Sequence, residues 1–195
     1  MTLPVEILLP LLPKIRARDF VELGKQSEEL GYSPISASKT TGSDGISILA
    51  ALAPQTKQIR LGSGILPIFM RSPVAMAQTM ASLDSLSGGR FILGLGTSNR
   101  AVVESLHGMP FGAQLTAMWE YCTIVRQALS GERTNFKGKI FSSRGFRLSC
   151  PPPEPCPPIF VAAPNPPMAR LAGEIADGMI LNWVVPERVK MLLGQ

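Results

Sequence analysis

Histidine occurs once and cysteine three times in these 195 residues. A lone imidazole, His107, cannot assemble the His/Cys sets that hold zinc, so no metal centre is expected. Cys122 falls within a helical pattern and reads as a core residue. Cys150 and Cys156 flank a proline cluster. A bridge between them is one option, and reduced thiols of a cytoplasmic protein are the better-supported one. Long apolar runs are also missing. Nothing approaches the roughly 18–20 residues that cross a bilayer, so no membrane span is expected. The apolar start, MTLPVEILLPLLP, has no basic leader and carries Glu6 inside the run. It reads as a buried strand over residues 5–9 rather than as a signal peptide. The net charge is +5, yet no Lys/Arg run is interleaved with aromatics, which make up 6% of the chain. That pattern argues against a nucleic-acid surface and modestly favours an anionic, phosphorylated small molecule. A dinucleotide fingerprint is absent too, because GLGTSNR does not keep the G-x-G-x-x-G spacing.

What is present is alternation. A helix is predicted over residues 19–30, where Phe20, Val21, Leu23 and Leu30 form the apolar stripe and Gly31 ends it. A weaker strand follows at 33–38. Ser43 or Asp44 can cap a helix running to about residue 53. A strand begins at Ile59, and a helix over 73–86 has Ser72 as N-cap and Pro73 at its first position. Phe91 to Leu95 reads as the fourth strand. Beyond a loop comes a helix over 114–129, then a hairpin-like excursion over 132–149. Six of the eight residues from Pro151 to Pro158 are proline, which forces an extended connector. A fifth strand (159–163), a helix (166–175), a sixth strand (178–183) and a helix from Pro186 complete the pattern. This is an α/β chain read as a single domain over residues 1–195, either a barrel or an open doubly wound sheet.

Residues 59–98, IRLGSGILPIFMRSPVAMAQTMASLDSLSGGRFILGLGTS, form the most informative stretch. Two apolar strands flank one helix, so they read as a right-handed βαβ unit with parallel strands. Both strands end in small residues: Gly62, Ser63 and Gly64 in one, Gly94, Gly96, Thr97 and Ser98 in the other. Small residues at the carboxyl ends of parallel strands leave room for a flat ligand against the backbone.

These segments together resemble the bacterial-luciferase-like monooxygenase superfamily, which holds flavin-dependent monooxygenases and F420-dependent reductases. The resemblance is carried by EELGY, ending at Tyr32, IRLGSGILP from Ile59, and RSPVAMAQTMASLDSLSGGRFILGLGTS from Arg71. LHGMPF from Leu106 and RLAGEIADGMILNW from Arg170 extend it. It implies a TIM barrel with its cofactor at the carboxyl ends of the strands. Family members usually exceed 300 residues, so the expectation is an incomplete, C-terminally truncated barrel with about six of eight strands. Such an arc has two unpaired edges.

The resemblance also implies site residues. Ser63, Gly64 and Ile65 would back the ring through a non-prolyl cis peptide or a bulge. Gly94 and Gly96 would let ligand atoms approach, and the hydroxyls of Thr97 and Ser98 would bond a ribityl chain or a carbonyl. The turn from Ala162 to Met168 would hold the cofactor phosphate. Its glycine position is taken by Asn165, and Pro164, Pro166 and Pro167 donate no N–H, which leaves the amides of Asn165 and Met168. Asn182 and Trp183 sit where relatives line the substrate pocket. From the residues themselves, His107 in the loop after the fourth strand is a further pocket candidate, and Trp119, Tyr121 and residues 103–111 are read as shaping substrate space. The second strand, ISASK, lacks the aromatic and the His or Glu usual in relatives, so no catalytic acid or base is assigned. The expected activity is a flavin- or F420-dependent oxidoreductase, with F420 or FMN as cofactor and a small organic substrate. Dimerisation through helices near the second and third strands is implied as well. The alternative is an inactive remnant that binds a cofactor or partner.

Overall fold

Six of the predicted strands form one parallel sheet. The computed structural model describes residues 6–9, 15–38, 42–182 and 184–193. In chain order the strands are β1 (Ile7–Leu8), β2 (Ile35–Ala37), β3 (Leu61–Ser63), β4 (Leu66–Pro67), β5 (Phe91–Gly96), β6 (Asn135–Lys137), β7 (Ser142–Arg144), β8 (Ile159–Ala162) and β9 (Gly178–Ile180). The sheet order is β1-β2-β3-β5-β8-β9, every neighbour parallel, with β4 continuing the β3 stave against β5. The sheet curls into a half-barrel, as expected for an incomplete TIM barrel, and is not an open doubly wound sheet. Among the described residues its edges are β1 and β9.

Helices α1 (Ala17–Glu29), α2 (Gly45–Leu52), α3 (Pro73–Ser87), α4 (Gln114–Leu129), α5 (Pro166–Ile175) and α6 (Pro186–Leu193) cover one face. Their starts follow from capping chemistry. The Asp44 carboxylate accepts from the Ser47 amide at 3.0 Å and opens α2. The Ser72 hydroxyl accepts from the Ala75 amide at 3.3 Å, with Pro73 at the first position of α3. Gly88 ends α3 at φ 67°, a left-handed conformation that favours glycine. Cys122 is buried, as expected, whereas Cys150 and Cys156 are exposed and unbridged.

Alternation along each strand divides the sheet into two faces. Ile35, Leu61 and Phe91 are in register, and with Leu93, Leu95, Ile159 and Val161 they pack into the core beneath the helices. The opposite residues Ser36, Gly62 and Ile92, then Gly94, Phe160 and Gly178, face the concave side. Phe160 and Ala162 are half-buried, as is the whole of β9. The interior of the arc is therefore partly open.

Three carboxylates and one guanidinium tie segments distant in sequence. Glu28, at the end of α1, accepts from the amides of Lys57, Gln58 and Ile59 at 2.7–2.9 Å. Arg90 donates to the carbonyls of Ala53, Thr56, Ile59 and Ser87 and to the Thr56 hydroxyl. Together they fix the amino ends of β3 and β5. Asp177 accepts from the Ile159 amide and from Arg126, both at 2.8 Å, joining β9 to β8 and α4. Glu120, buried on α4, accepts from the amides of Lys139, Ile140 and Phe141 at 2.6–2.9 Å and holds the β6–β7 hairpin.

Three sequence expectations are corrected. The first strand is only Ile7–Leu8 and is not buried, since Ile7 is half-buried and Leu8 exposed, and Val5 lies outside the described residues. The single third strand is split into β3 and β4, and residues 101–106 form a π-helical turn where a loop was expected. The Asn99 carboxamide accepts from the Val102 amide at 3.0 Å and starts that turn.

Candidate functional site

The split in the third stave is a bulge at its carboxyl end. Leu61 and Gly62 pair with Phe91 and Ile92, but Leu66 and Pro67 pair with Leu95 and Gly96. Four steps on one strand thus oppose three on the other, and the extra residue lies within Ser63, Gly64 and Ile65. The Gly64–Ile65 peptide is cis. The Ser63 hydroxyl repairs the broken ladder. It donates to the Gly94 carbonyl at 2.9 Å and accepts from the Gly94 amide at 2.8 Å. The Gly64 amide bonds the Ala37 carbonyl at 3.0 Å and ties the bulge to β2.

This geometry gives two of the predicted glycines an occupant from within the chain. A Cβ on Gly94 would lie 1.8 Å from the Ser63 carbonyl oxygen, and one on Gly96 would lie 2.7 Å from Ile65 Cδ1. Both glycines make room for the bulge, rather than directly for ligand atoms. They shape the shelf; Ile65 covers it.

Hydroxyl residues follow the strands on either side of the bulge. Ser38 follows β2, and its hydroxyl is the one buried side-chain polar atom without a hydrogen-bond partner among the described residues. Thr97 is buried at the end of β5, and its hydroxyl has only a long 3.5 Å contact to the Ser98 carbonyl. Ser98 is half-buried and left-handed at φ 60°.

An aromatic wall stands next to this rim. Phe69, just after β4, meets Phe111 at 5.6 Å and Phe141 at 6.2 Å between ring centroids. Tyr121 meets Phe141 at 5.2 Å, and its hydroxyl donates to the Arg71 carbonyl. The Arg100 guanidinium lies 5.5 Å from the Phe111 ring centre. Tyr121 is fully buried in the packing, whereas Trp119 is exposed and meets the Phe136 ring at 5.7 Å with a 56° tilt. Sequence reasoning named Tyr121 and the 103–111 segment as shaping substrate space, but not Phe69 or Phe141. The available signal was Glu120, a charged residue inside an apolar helical stripe.

The other predicted residues are spread out. His107 ends the π-helical turn and is exposed. Asn182 is exposed beyond β9, and Trp183 lies outside the described residues. Asn165 caps α5, and Met168 is buried in its first turn.

Several ionisations are displaced: burial raises Tyr121 in the aromatic wall, and Glu120 beneath it accepts from the Phe141 amide. Burial alone would raise Glu28, but the amides of Ile59, Gln58 and Lys57 and the charge of Arg90 outweigh it and hold it below the usual range. Glu120 is lowered in the same way by the amides of Phe141, Lys139 and Ile140. Burial raises Asp84 and pushes the Cys122 thiol up to about 12. Glu28 and Asp84 stand toward the amino ends of the strands, and the carboxyl rim offers hydroxyls, backbone and apolar cover, with the Arg100 guanidinium against Phe111 at its edge. Those are the means of holding a flat ring.

The pattern of the luciferase-like monooxygenases matches residues 2–193. The chain belongs to that family. Among luciferase-like relatives, a 5,10-methylenetetrahydromethanopterin reductase of Archaeoglobus fulgidus is 33% identical over 141 residues. The match covers 72% of this chain and 42% of that protein. An F420-dependent hydroxymycolic acid dehydrogenase of Mycobacterium tuberculosis is 40% identical over 136 residues, covering 68% and 37% respectively. The chain spans about half the length of the curated relatives it matches. The structure of a coenzyme F420-dependent tetrahydromethanopterin reductase from Methanopyrus kandleri superposes with a TM-score of 0.87 at 24% identity. It covers 98% of this chain and 59% of its own, which shows a shared fold.

The ring of a flavin-type cofactor and its phosphate fare differently here. The orphaned Ser38 hydroxyl and the bulge suit a ring with polar edges. The start of α5 does not suit the phosphate. The Asn165 carboxamide accepts from the Met168 amide at 3.0 Å, and two prolines occupy the positions between them.

Proposed function

We propose that this chain is an oxidoreductase domain that holds a deazaflavin or flavin ring at the carboxyl rim of its half-barrel. The observation that carries the reading is the β3–β4 bulge, locked by Ser63 onto Gly94, with the unpartnered Ser38 hydroxyl at the end of the neighbouring strand β2. Ser63, Gly64 and Ile65 form the backing shelf. Thr97, Ser98 and Ser38 supply hydroxyls to ring edges and the ribityl chain. When bound, the ring supplies hydride transfer, or oxygen activation if it is FMN. The F420 dependence of the related hydroxymycolic acid dehydrogenase favours the deazaflavin. The aromatic wall of Phe69, Phe111 and Phe141 bounds the space for a small organic substrate, with His107, Asn182 and Trp183 as candidate contacts. A single domain, a cytoplasmic location and association into dimers belong to the same reading.

Fluorescence or absorbance titration of the purified chain with F420 and with FMN tests it. Saturable uptake of at least one at equal stoichiometry is expected. A folded chain that takes up neither sinks the reading.

A second reading rests on the two open edges, β1 and β9, and on the half-buried concave face. The chain then acts only in association, as a binding half-barrel. Sedimentation paired with the cofactor titration discriminates the two: a monomer that takes up F420 or FMN rules out the second.

A further inference from the structure

The start of α5 has almost no hydrogen-bond donors to spare. Between Ala163 and Ala169 the chain reads A-P-N-P-P-M-A, and Pro164, Pro166 and Pro167 carry no N–H. The Ala163 amide bonds the Ile180 carbonyl at 3.1 Å. The Met168 amide bonds the Asn165 carboxamide oxygen at 3.0 Å, and the Ala169 amide bonds the Asn165 carbonyl at 3.0 Å. Only the Asn165 amide is left of seven positions. A phosphate at a helix start needs several converging N–H groups, and the dipole alone is weak in solvent. Asn165 is β/extended, at φ −150°, so it does not provide the left-handed turn that a glycine would open there. Its carboxamide instead occupies the place where an anion oxygen would accept.

Resting on the ring-binding reading, we propose that this chain recognises the ring and ribityl part of its ligand and leaves the phosphate in solvent. Asn165 is the specificity-determining residue, because it caps α5 in the phosphate's stead. The chain accordingly accepts non-phosphorylated flavins and deazaflavins as readily as the phosphorylated forms.

The test is a set of fluorescence titrations at fixed ionic strength with four probes. They are riboflavin, FMN, F420, and the deazaflavin riboside that lacks the F420 phosphate and tail. Dissociation constants within about threefold for each phosphorylated and unphosphorylated pair are expected. A preference of about tenfold or more for FMN over riboflavin overturns the proposal, whichever group supplies it, the exposed Arg170 on α5 included. That outcome leaves the ring-binding reading intact. Failure of all four probes to bind overturns both. The variant Asn165→Gly/Pro166→Ala/Pro167→Ala restores backbone donors, and its folding is checked by circular dichroism. A rise to about tenfold preference for FMN is expected of the folded variant, and an unchanged ratio overturns the role given to these residues. If the triple variant does not fold, Asn165→Ala, which frees the Met168 amide alone, is titrated in its place. A shift toward FMN supports the role of Asn165 and no shift overturns it.

Discussion

At the scale of single residues, a glycine is defined by what surrounds it. Gly94 and Gly173 are both glycines in regular structure, and their surroundings oppose each other. A Cβ on Gly94 meets the Ser63 carbonyl oxygen at 1.8 Å, whereas one on Gly173, exposed in α5, meets nothing within 4 Å. The contact at Gly94 is with backbone, so no rotamer change relieves it. Gly94→Ala is expected to cost about 3 kcal/mol or more, or to prevent folding. Gly173→Ala is expected to raise stability by about 0.5–1 kcal/mol, because alanine suits a helix interior. Urea unfolding of both variants checks the contrast, and equal effects would contradict the packing described at the bulge. Ser63→Ala is the complementary change. It leaves the Gly94 amide and carbonyl buried without the hydroxyl, at an expected cost of about 2–3 kcal/mol, read from the same unfolding curves. The glycines were visible in the sequence, but their partner was not. Which atom fills the space above Gly94 depends on register with a strand thirty residues earlier, and local pattern carries no register.

At the scale of elements, the helices were the most legible. The start of α3 follows from Ser72 and Pro73, and the bounds of α4 and α5 match the predicted 114–129 and 166–175. Periodicity and caps are local, so sequence alone suffices. The third strand was harder, because a bulge is a mismatch between two strands and either strand alone looks regular. Glu120 shows the same limit. Its position in α4 is legible, but its task is to bind three successive amides of a hairpin about twenty residues onward. Glu120→Gln removes the charge from that nest, and one of its two carboxylate oxygens becomes a donor that opposes an N–H. A loss of about 2–3 kcal/mol is expected. Hydrogen exchange locates the effect: the amides of Lys139, Ile140 and Phe141 should lose protection first, ahead of α4 itself. Uniform acceleration across the chain would instead mean that the hairpin is not a separate unit.

At the scale of the whole molecule, stability rests on bridges between segments far apart in sequence, and the same bridges set its response to acid. Glu28 joins α1 to the chain entering β3, Glu120 joins α4 to the hairpin, and Asp177 joins β9 to β8 and α4. All three carboxyl groups are held below their usual values in the fold. Their contribution is complete above the unfolded carboxylate range, near about pH 4, and disappears as pH falls through the lower folded values. Asp84 runs the other way, since burial raises its pKa. Its charged form opposes folding at neutral pH, and protonation relieves that cost early in acidification. The melting temperature should therefore stay nearly level, or rise slightly, down to about pH 5 and then drop steeply below about pH 4. Glu28→Gln should lower the neutral plateau and flatten the acid limb, because the variant has one fewer depressed group to protonate. Asp84→Asn should remove any rise on the approach to pH 5 while leaving the acid limb in place. If Glu28→Gln melts with an unaltered acid limb, the ties at the amino ends of the strands are not what acid breaks. The half-barrel would then be yielding at its open edges, where β1 and β9 offer unpaired backbone among the described residues.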